Sequence, residues 1–145
     1  MISFIVIGKN VEKTIDICLS SIYAAIESCS IQRIDVLYID SKSTDSTVEK
    51  ALKYKNVNVF IITGECNAAI ARNIGAREAK GDYLCFLDAD MELMPDFLKS
   101  TMGPNETLKY DFVSGDLVNY NYDSNWILID KKPYFGRTLV EDRLE

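Results

Sequence analysis

Short apolar runs alternate with longer amphipathic stretches from Ile2 to Leu87, an order that admits few folds. Ile2 to Ile7 is β-rich, apolar and only a strand's length, and it stops at Gly8. From Val11 to Ser28 the residues Ile15, Cys18, Leu19, Ile22 and Ile26 recur at three- and four-residue steps, which draws an apolar stripe along one face of a helix. Ile34 to Ile39 is the next apolar run, closing at Asp40, and Ser41 to Ser46 after it is rich in turn and cap formers. Ser46 and Glu49 have capping-box spacing, so a second helix carrying Val48, Ala51 and Leu52 is expected to start there. A third strand follows over Val57 to Ile62 and a third helix over Asn67 to Lys80, with Gly81 as its terminating glycine. Tyr83 to Leu87 is the fourth strand.

Strands and helices in this order build βαβ units with right-handed crossovers, hence an α/β fold with a mostly parallel sheet covered on both faces. Ligands of such sheets sit beyond the carboxyl ends of the strands. That rule selects Gly8-Lys9-Asn10, Asp40-Ser41, Thr63-Gly64 and Asp88-Ala89-Asp90. Past Pro95, which suits a helix's first turn ahead of Phe97 and Leu98, the pattern loosens, and Phe112 to Asn121 reads as extended. Tyr110, Tyr120, Tyr122, Trp126 and Tyr134 make the last third aromatic, able to cover a sheet edge or to lie exposed and drive self-association.

A chain of 145 residues suits one domain. Its 16 basic and 22 acidic residues give a net charge of -6, which excludes a broad cationic surface and argues against nucleic acid as a partner. A protein this acidic handles phosphate through a few placed cations, helix N-termini or a bound metal ion. Histidine is absent, which removes the Ser-His-Asp triad and makes a zinc site improbable. Cys18, Cys29, Cys66 and Cys85 form no C-x-x-C pair and read as reduced, buried thiols of a cytoplasmic protein. The apolar start is too short for a membrane span and has no basic leader. Leu144-Glu145 reads as vector-derived, leaving residues 1–143 as a C-terminally incomplete domain.

Asp88 and Asp90 both emerge where an apolar strand ends. Adjacent carboxylates repel unless something positive lies between them. A divalent cation bridging to a diphosphate removes that repulsion, and carboxylate oxygens suit Mn²⁺ or Mg²⁺; the plainer alternative is a solvated acidic turn. Asp40 could accept from a base imide or a ribose hydroxyl, or merely cap the turn after it. Arg72, in the third helix, could face a diphosphate or pair with a surface acid. The alternation also predicts that Asp40 and Asp88 lie at one edge of the sheet and approach one crevice.

Taken together, these segments resemble the family-2 glycosyltransferases of GT-A fold. Ile5-Val6-Ile7-Gly8-Lys9-Asn10 is similar to that family's first strand and polar turn. Ile39-Asp40-Ser41-Lys42-Ser43-Thr44-Asp45-Ser46-Thr47 is similar to its nucleoside loop. Ala71-Arg72-Asn73-Ile74-Gly75, Ala79-Lys80-Gly81-Asp82-Tyr83 and Phe86-Leu87-Asp88-Ala89-Asp90 follow in the family's order. The resemblance covers residues 2–98. It implies an inverting transferase that binds a UDP- or GDP-sugar with Mn²⁺ or Mg²⁺ and passes the sugar to a polysaccharide, lipid or protein-glycan acceptor. It implies Asp90 as metal ligand with Asp88, Asp88 at the ribose or sugar, Asp40 at the nucleoside, and Arg72 near the nucleotide. Ile7, Lys9 and Ala89 complete the donor-binding set.

Two departures stand out: Ile7-Gly8-Lys9-Asn10 replaces the frequent Pro-x-Tyr-Asn, and Ser41 stands where many members carry a second acid. The family's later acidic motif supplies a base. Glu141 and Asp142 are the candidates for it, though they also read as a solvated terminal pair, and the chain is expected to bind donor with little transfer. Two other readings remain: a sugar-nucleotide-binding module without chemistry, and a haloacid-dehalogenase-type phosphatase, whose Asp-x-Asp normally opens the domain and continues differently from Met91-Glu92. By the same resemblance, a longer form of the protein could associate with a membrane.

Overall fold

The computed structural model describes residues 1–133. These fall into two compact units divided after Asp111. In the first, β1 (Ile2–Gly8), α1 (Ile15–Ser28), β2 (Ile34–Asp40), α2 (Thr47–Ala51), β3 (Val57–Ile61), α3 (Ala68–Glu78), β4 (Tyr83–Asp88) and α4 (Pro95–Thr101) follow one another. Among the described residues the four strands make one sheet of order β3-β2-β1-β4, and every pairing is parallel. This is the α/β arrangement expected from the alternating runs.

Alternation along β1 and β2 divides the core between the two faces of the sheet. Phe4, Val6, Val36 and Tyr38 pack with Ile15, Cys18, Leu19 and Ile22 of α1, Ala51 of α2 and Leu98 of α4. Ile5, Ile7, Leu37 and Ile39 face the other way, toward Ala71 of α3. Each such aliphatic side chain contributes about 1.5–3 kcal/mol by leaving water, so β1, buried from Ile2 to Ile7, anchors the unit. At Gly75 the backbone of α3 comes so close to β1 that a Cβ would stand 2.3 Å from Ile5 Cγ2.

The structure corrects two expectations about the ends of helices. The side chain of Ser46 makes no cap bond. Asp45 takes that role instead, its Oδ1 accepting from Thr47 N at 3.0 Å and from Thr47 Oγ1 at 2.5 Å. Gly81 does not terminate α3 either, since the helix closes through Ala79 in an extended conformation. Glycine is needed at position 81 because a Cβ there would lie 2.6 Å from Ser3 N and 2.8 Å from Met1 O. Its N–H donates to Ser3 Oγ, which donates in turn to Asp35 Oδ2. Asp35 also accepts from Asn58 Nδ2 and Lys80 N, so one buried carboxylate ties the α3–β4 turn to the far end of the sheet.

The second unit contains an antiparallel hairpin of β5 (Val118–Tyr122) and β6 (Leu128–Pro133). The expected extended segment is thus a strand only from Val118. Its turn is held by Asp123, whose Oδ1 accepts from the N–H groups of Asn125 and Ile127. Tyr122 stacks on Trp126 with centroids 5.3 Å apart, and Lys131 Nζ lies 4.2 Å from the Tyr120 ring centroid. Tyr122, Trp126, Ile127 and Ile129 remain exposed.

Candidate functional site

Parallel pairing brings the C-terminal ends of β1, β2 and β4 to one edge, where Gly8 pairs with Asp40 and Ile7 with Asp88. The ladder runs one residue further, with Ser41 N donating to Gly8 O at 2.9 Å and Ala89 N to Ile7 O at 2.8 Å. Gly8 allows the approach, since a Cβ would come within 2.9 Å of both Ala89 Cβ and Val11 Cγ2.

Asp88 leaves β4 on the α3 face, where Arg72 Nη2 donates to its Oδ1 at 2.6 Å. The two side chains are 38% and 41% exposed, so the pair contributes about 1 kcal/mol or less and is weak enough for an arriving ligand to rearrange. Met91 N donates to Asp88 O at 2.9 Å, turning the chain so that Ala89 is buried and Asp90 is exposed. The carboxylates of Asp88 and Asp90 offer the hard oxygen atoms that a divalent cation takes, and that of Asp88 is paired with a guanidinium. Among the described residues no group of three or more acidic or cysteine side chains forms a metal cage of its own.

Asp40 stands differently. It is fully buried, and its carboxylate accepts from Tyr38 Oη at 3.0 Å, Ser43 N at 2.8 Å and Ser43 Oγ at 2.6 Å. Burial, reinforced by the charge of Asp40, pushes the Tyr38 hydroxyl far above the usual tyrosine range. Asp40 shares a face with Tyr38 and α1, whereas Asp88 shares one with Arg72 and α3. The two carboxylates therefore occupy one edge, as expected, and leave it from opposite faces of the sheet.

The turn after β1 and the loop after β2 are bonded to each other in both directions. Asn10 N donates to Ser43 Oγ at 2.8 Å, and Thr44 N donates to Asn10 Oδ1 at 2.8 Å. Val11 N donates to Thr47 Oγ1 and Glu12 N to Asp45 Oδ2, while Ser46 N donates back to Glu12 Oε2. Lys50 Nζ reaches Glu12 O. Desolvation raises the Asp45 carboxyl, but the donors from Thr47 and Glu12 together outweigh it and leave it below its ordinary value. Asn10 and Lys42 take left-handed φ of 54° and 62° at the two turns. The sequence places Asn10, Glu12 and Asp45 in turns, but nothing in it shows that they bond one another.

Of the remaining residues singled out from the sequence, Lys9 is exposed beside the edge. The side chain of Ile7 is in the core and its carbonyl is taken by Ala89. Glu141 and Asp142 lie outside the described residues.

Residues 3–143 match the model of the family described as Glycosyl transferase family 2. The chain is 32% identical over 115 residues to the UDP-Glc:alpha-D-GlcNAc-diphosphoundecaprenol beta-1,3-glucosyltransferase WfaP of Escherichia coli, which covers 76% of the chain and 43% of that relative. Among solved structures, it is similar to S. aureus TarS 1-349 in complex with UDP, with 28% identity, a TM-score of 0.56 and coverage of 68% of this chain and 30% of that one. It is also similar to the mannosyltransferase PcManGT from Pyrobaculum calidifontis in complex with GDP-Man and Mn²⁺, with 27% identity, a TM-score of 0.51 and coverage of 63% and 28%. The chain thus spans less than half the length of each of these proteins. Its parallel sheet, strand-end carboxylates and match over nearly its whole length place it in glycosyl transferase family 2.

Proposed function

We propose that the chain binds a nucleoside-diphospho-sugar, together with a divalent cation, at the C-terminal edge of its sheet and presents the sugar for inverting transfer to an acceptor hydroxyl. The observation that carries this reading is the group at the end of β4: Asp88 held by Arg72, with Asp90 exposed one turn residue later. TarS bound to UDP and PcManGT bound to GDP-Man and Mn²⁺ support it. Asp90 and Asp88 would hold the cation, which supplies positive charge to the departing diphosphate. Arg72, released from Asp88, and the exposed Lys9 provide further cationic groups for the phosphates. Asp40, buried at the nucleoside end, fixes the loop Ser41 to Asp45 through its carboxylate, which accepts from Ser43 N and Ser43 Oγ. Glu141 and Asp142 are the sequence's candidates for the base that takes the acceptor proton.

Calorimetry with UDP and with GDP, each with and without Mn²⁺, tests the proposal. The parent chain is expected to bind one of them only with metal, and Asp90→Ala to abolish metal-dependent binding without changing the melting temperature, since an exposed strand-end carboxylate packs against little. Equal affinity in the mutant and the parent would remove the metal assignment.

A further inference from the structure

Asn10 belongs to one of the strand-end sets the sequence selects, and its contacts couple the two loops of the nucleotide edge. It stands at φ 54°, in the left-handed region that asparagine tolerates better than most residues. That conformation aims its N–H at Ser43 Oγ, 2.8 Å away, while its side-chain Oδ1 accepts from Thr44 N at 2.8 Å and from Thr44 Oγ1 at 3.4 Å. Ser43 Oγ, which receives the Asn10 N–H, donates to Asp40 Oδ1 at 2.6 Å, and Tyr38 Oη donates to the same oxygen. An unbroken series of hydrogen bonds thus runs from the exposed turn of β1, through the loop after β2, to a carboxylate with no exposure at all. Lys42, just inside the loop, is held at φ 62°, a conformation that costs a lysine energy and persists only where its surroundings impose it.

We infer that Asn10 is a positioning residue for the nucleotide: its side chain clasps the loop Ser41 to Asp45 in its binding conformation before ligand arrives. This rests on the nucleotide reading of the edge given above. A loop ordered in advance spends less of its binding free energy on losing conformational freedom. The clasp's contribution therefore falls on affinity and on local exchange, whereas global stability changes little, because both partners lie in exposed turns.

Three variants separate the side chain from the backbone. Asn10→Gly keeps the left-handed φ at no strain but deletes the acceptor. Asn10→Asp keeps both the acceptor and a residue type that tolerates that φ. Ser43→Ala removes the group that links Asn10 N to Asp40. Calorimetry with UDP or GDP and Mn²⁺ should show the dissociation constant rising about tenfold in Asn10→Gly and Ser43→Ala and staying within about threefold in Asn10→Asp. Amide hydrogen exchange at Thr44 should quicken at least about tenfold in Asn10→Gly with protection restored in Asn10→Asp, while the amides of β1 stay unchanged. Parent-like affinity and Thr44 protection in Asn10→Gly would overturn the clasp while leaving the nucleotide reading intact. No binding of either nucleotide by the parent chain would overturn that reading, and the clasp's effect on affinity with it.

Discussion

At the scale of single residues, a carboxylate's position along a strand is legible in the sequence and the face it leaves from is not. Asp40 and Asp88 both close an apolar run, which is enough to place them at one edge. Strands of a parallel sheet are apolar on both sides, however, so Val36-Leu37-Tyr38-Ile39 gives no alternation from which to read parity. Only packing tells that Tyr38 faces α1 and Ile39 faces α3, and with that Asp40 becomes a buried organiser of its loop. Cys18 shows the opposite case, since its apolar surroundings already mark it as a buried thiol, whereas Cys29, Cys66 and Cys85, expected to be buried too, are only partly so. Burial, with the charges of Asp90 and Asp88 adding to it, pushes Cys18 up to about 12, and burial alone pushes Cys85 up to about 11. A group raised this far is almost wholly protonated at neutral pH, and a protonated thiol is a poor nucleophile. Iodoacetamide at pH 7.5, followed by peptide mass spectrometry, should label Cys29 and Cys66 at least about tenfold faster than Cys18 and Cys85 in the folded chain, and all four alike in urea. Early labelling of Cys18 would contradict the packing of α1 against the sheet.

Among the elements, every strand and helix before Pro95 could be read from periodicity, and the errors fell where capping residues crowd together. Thr44, Asp45 and Ser46 are all cap formers, and the spacing of Ser46 to Glu49 favoured the wrong one. Asp45 prevails because its carboxylate serves Thr47 and the β1 turn at once, a link across 33 residues that no local pattern shows. Gly81 likewise lies near a helix end for the sake of a strand backbone beside it. Gly75 carries the clearest energetic consequence. In Gly75→Ala the new methyl meets Ile5 Cγ2 at 2.3 Å inside a packed face, so α3 must lift from β1. The gain in helix propensity, up to about 1 kcal/mol, offsets part of an overpacking cost of about 1–3 kcal/mol. Urea unfolding should show a net loss of up to about 2 kcal/mol, and a raised midpoint would contradict the close α3–β1 contact. On the same face of the sheet β4 leaves Leu84 and Phe86 exposed, a feature its sequence, apolar throughout, does not distinguish from burial.

For the whole molecule, the order of the runs was sufficient for the parallel sheet, and the sheet directs attention to its C-terminal edge. An Asp-x-Asp by itself leaves a transferase and a phosphatase both open; family membership decides for the transferase. To bind a diphosphate as proposed, a chain of net charge -6 needs local cations, and the edge offers Arg72, paired with Asp88, and the exposed Lys9. The account stands or falls on where the metal and the nucleotide sit. A crystal of the chain grown with Mn²⁺ and UDP or GDP, measured at the manganese absorption edge, locates both. The account predicts an anomalous peak at bonding distance, about 2.0–2.4 Å, from a carboxylate oxygen of Asp90, with the diphosphate on that ion and the base against the loop Ser41 to Asp45. A manganese peak away from Asp88 and Asp90, or a nucleotide at the opposite end of the strands, would contradict it.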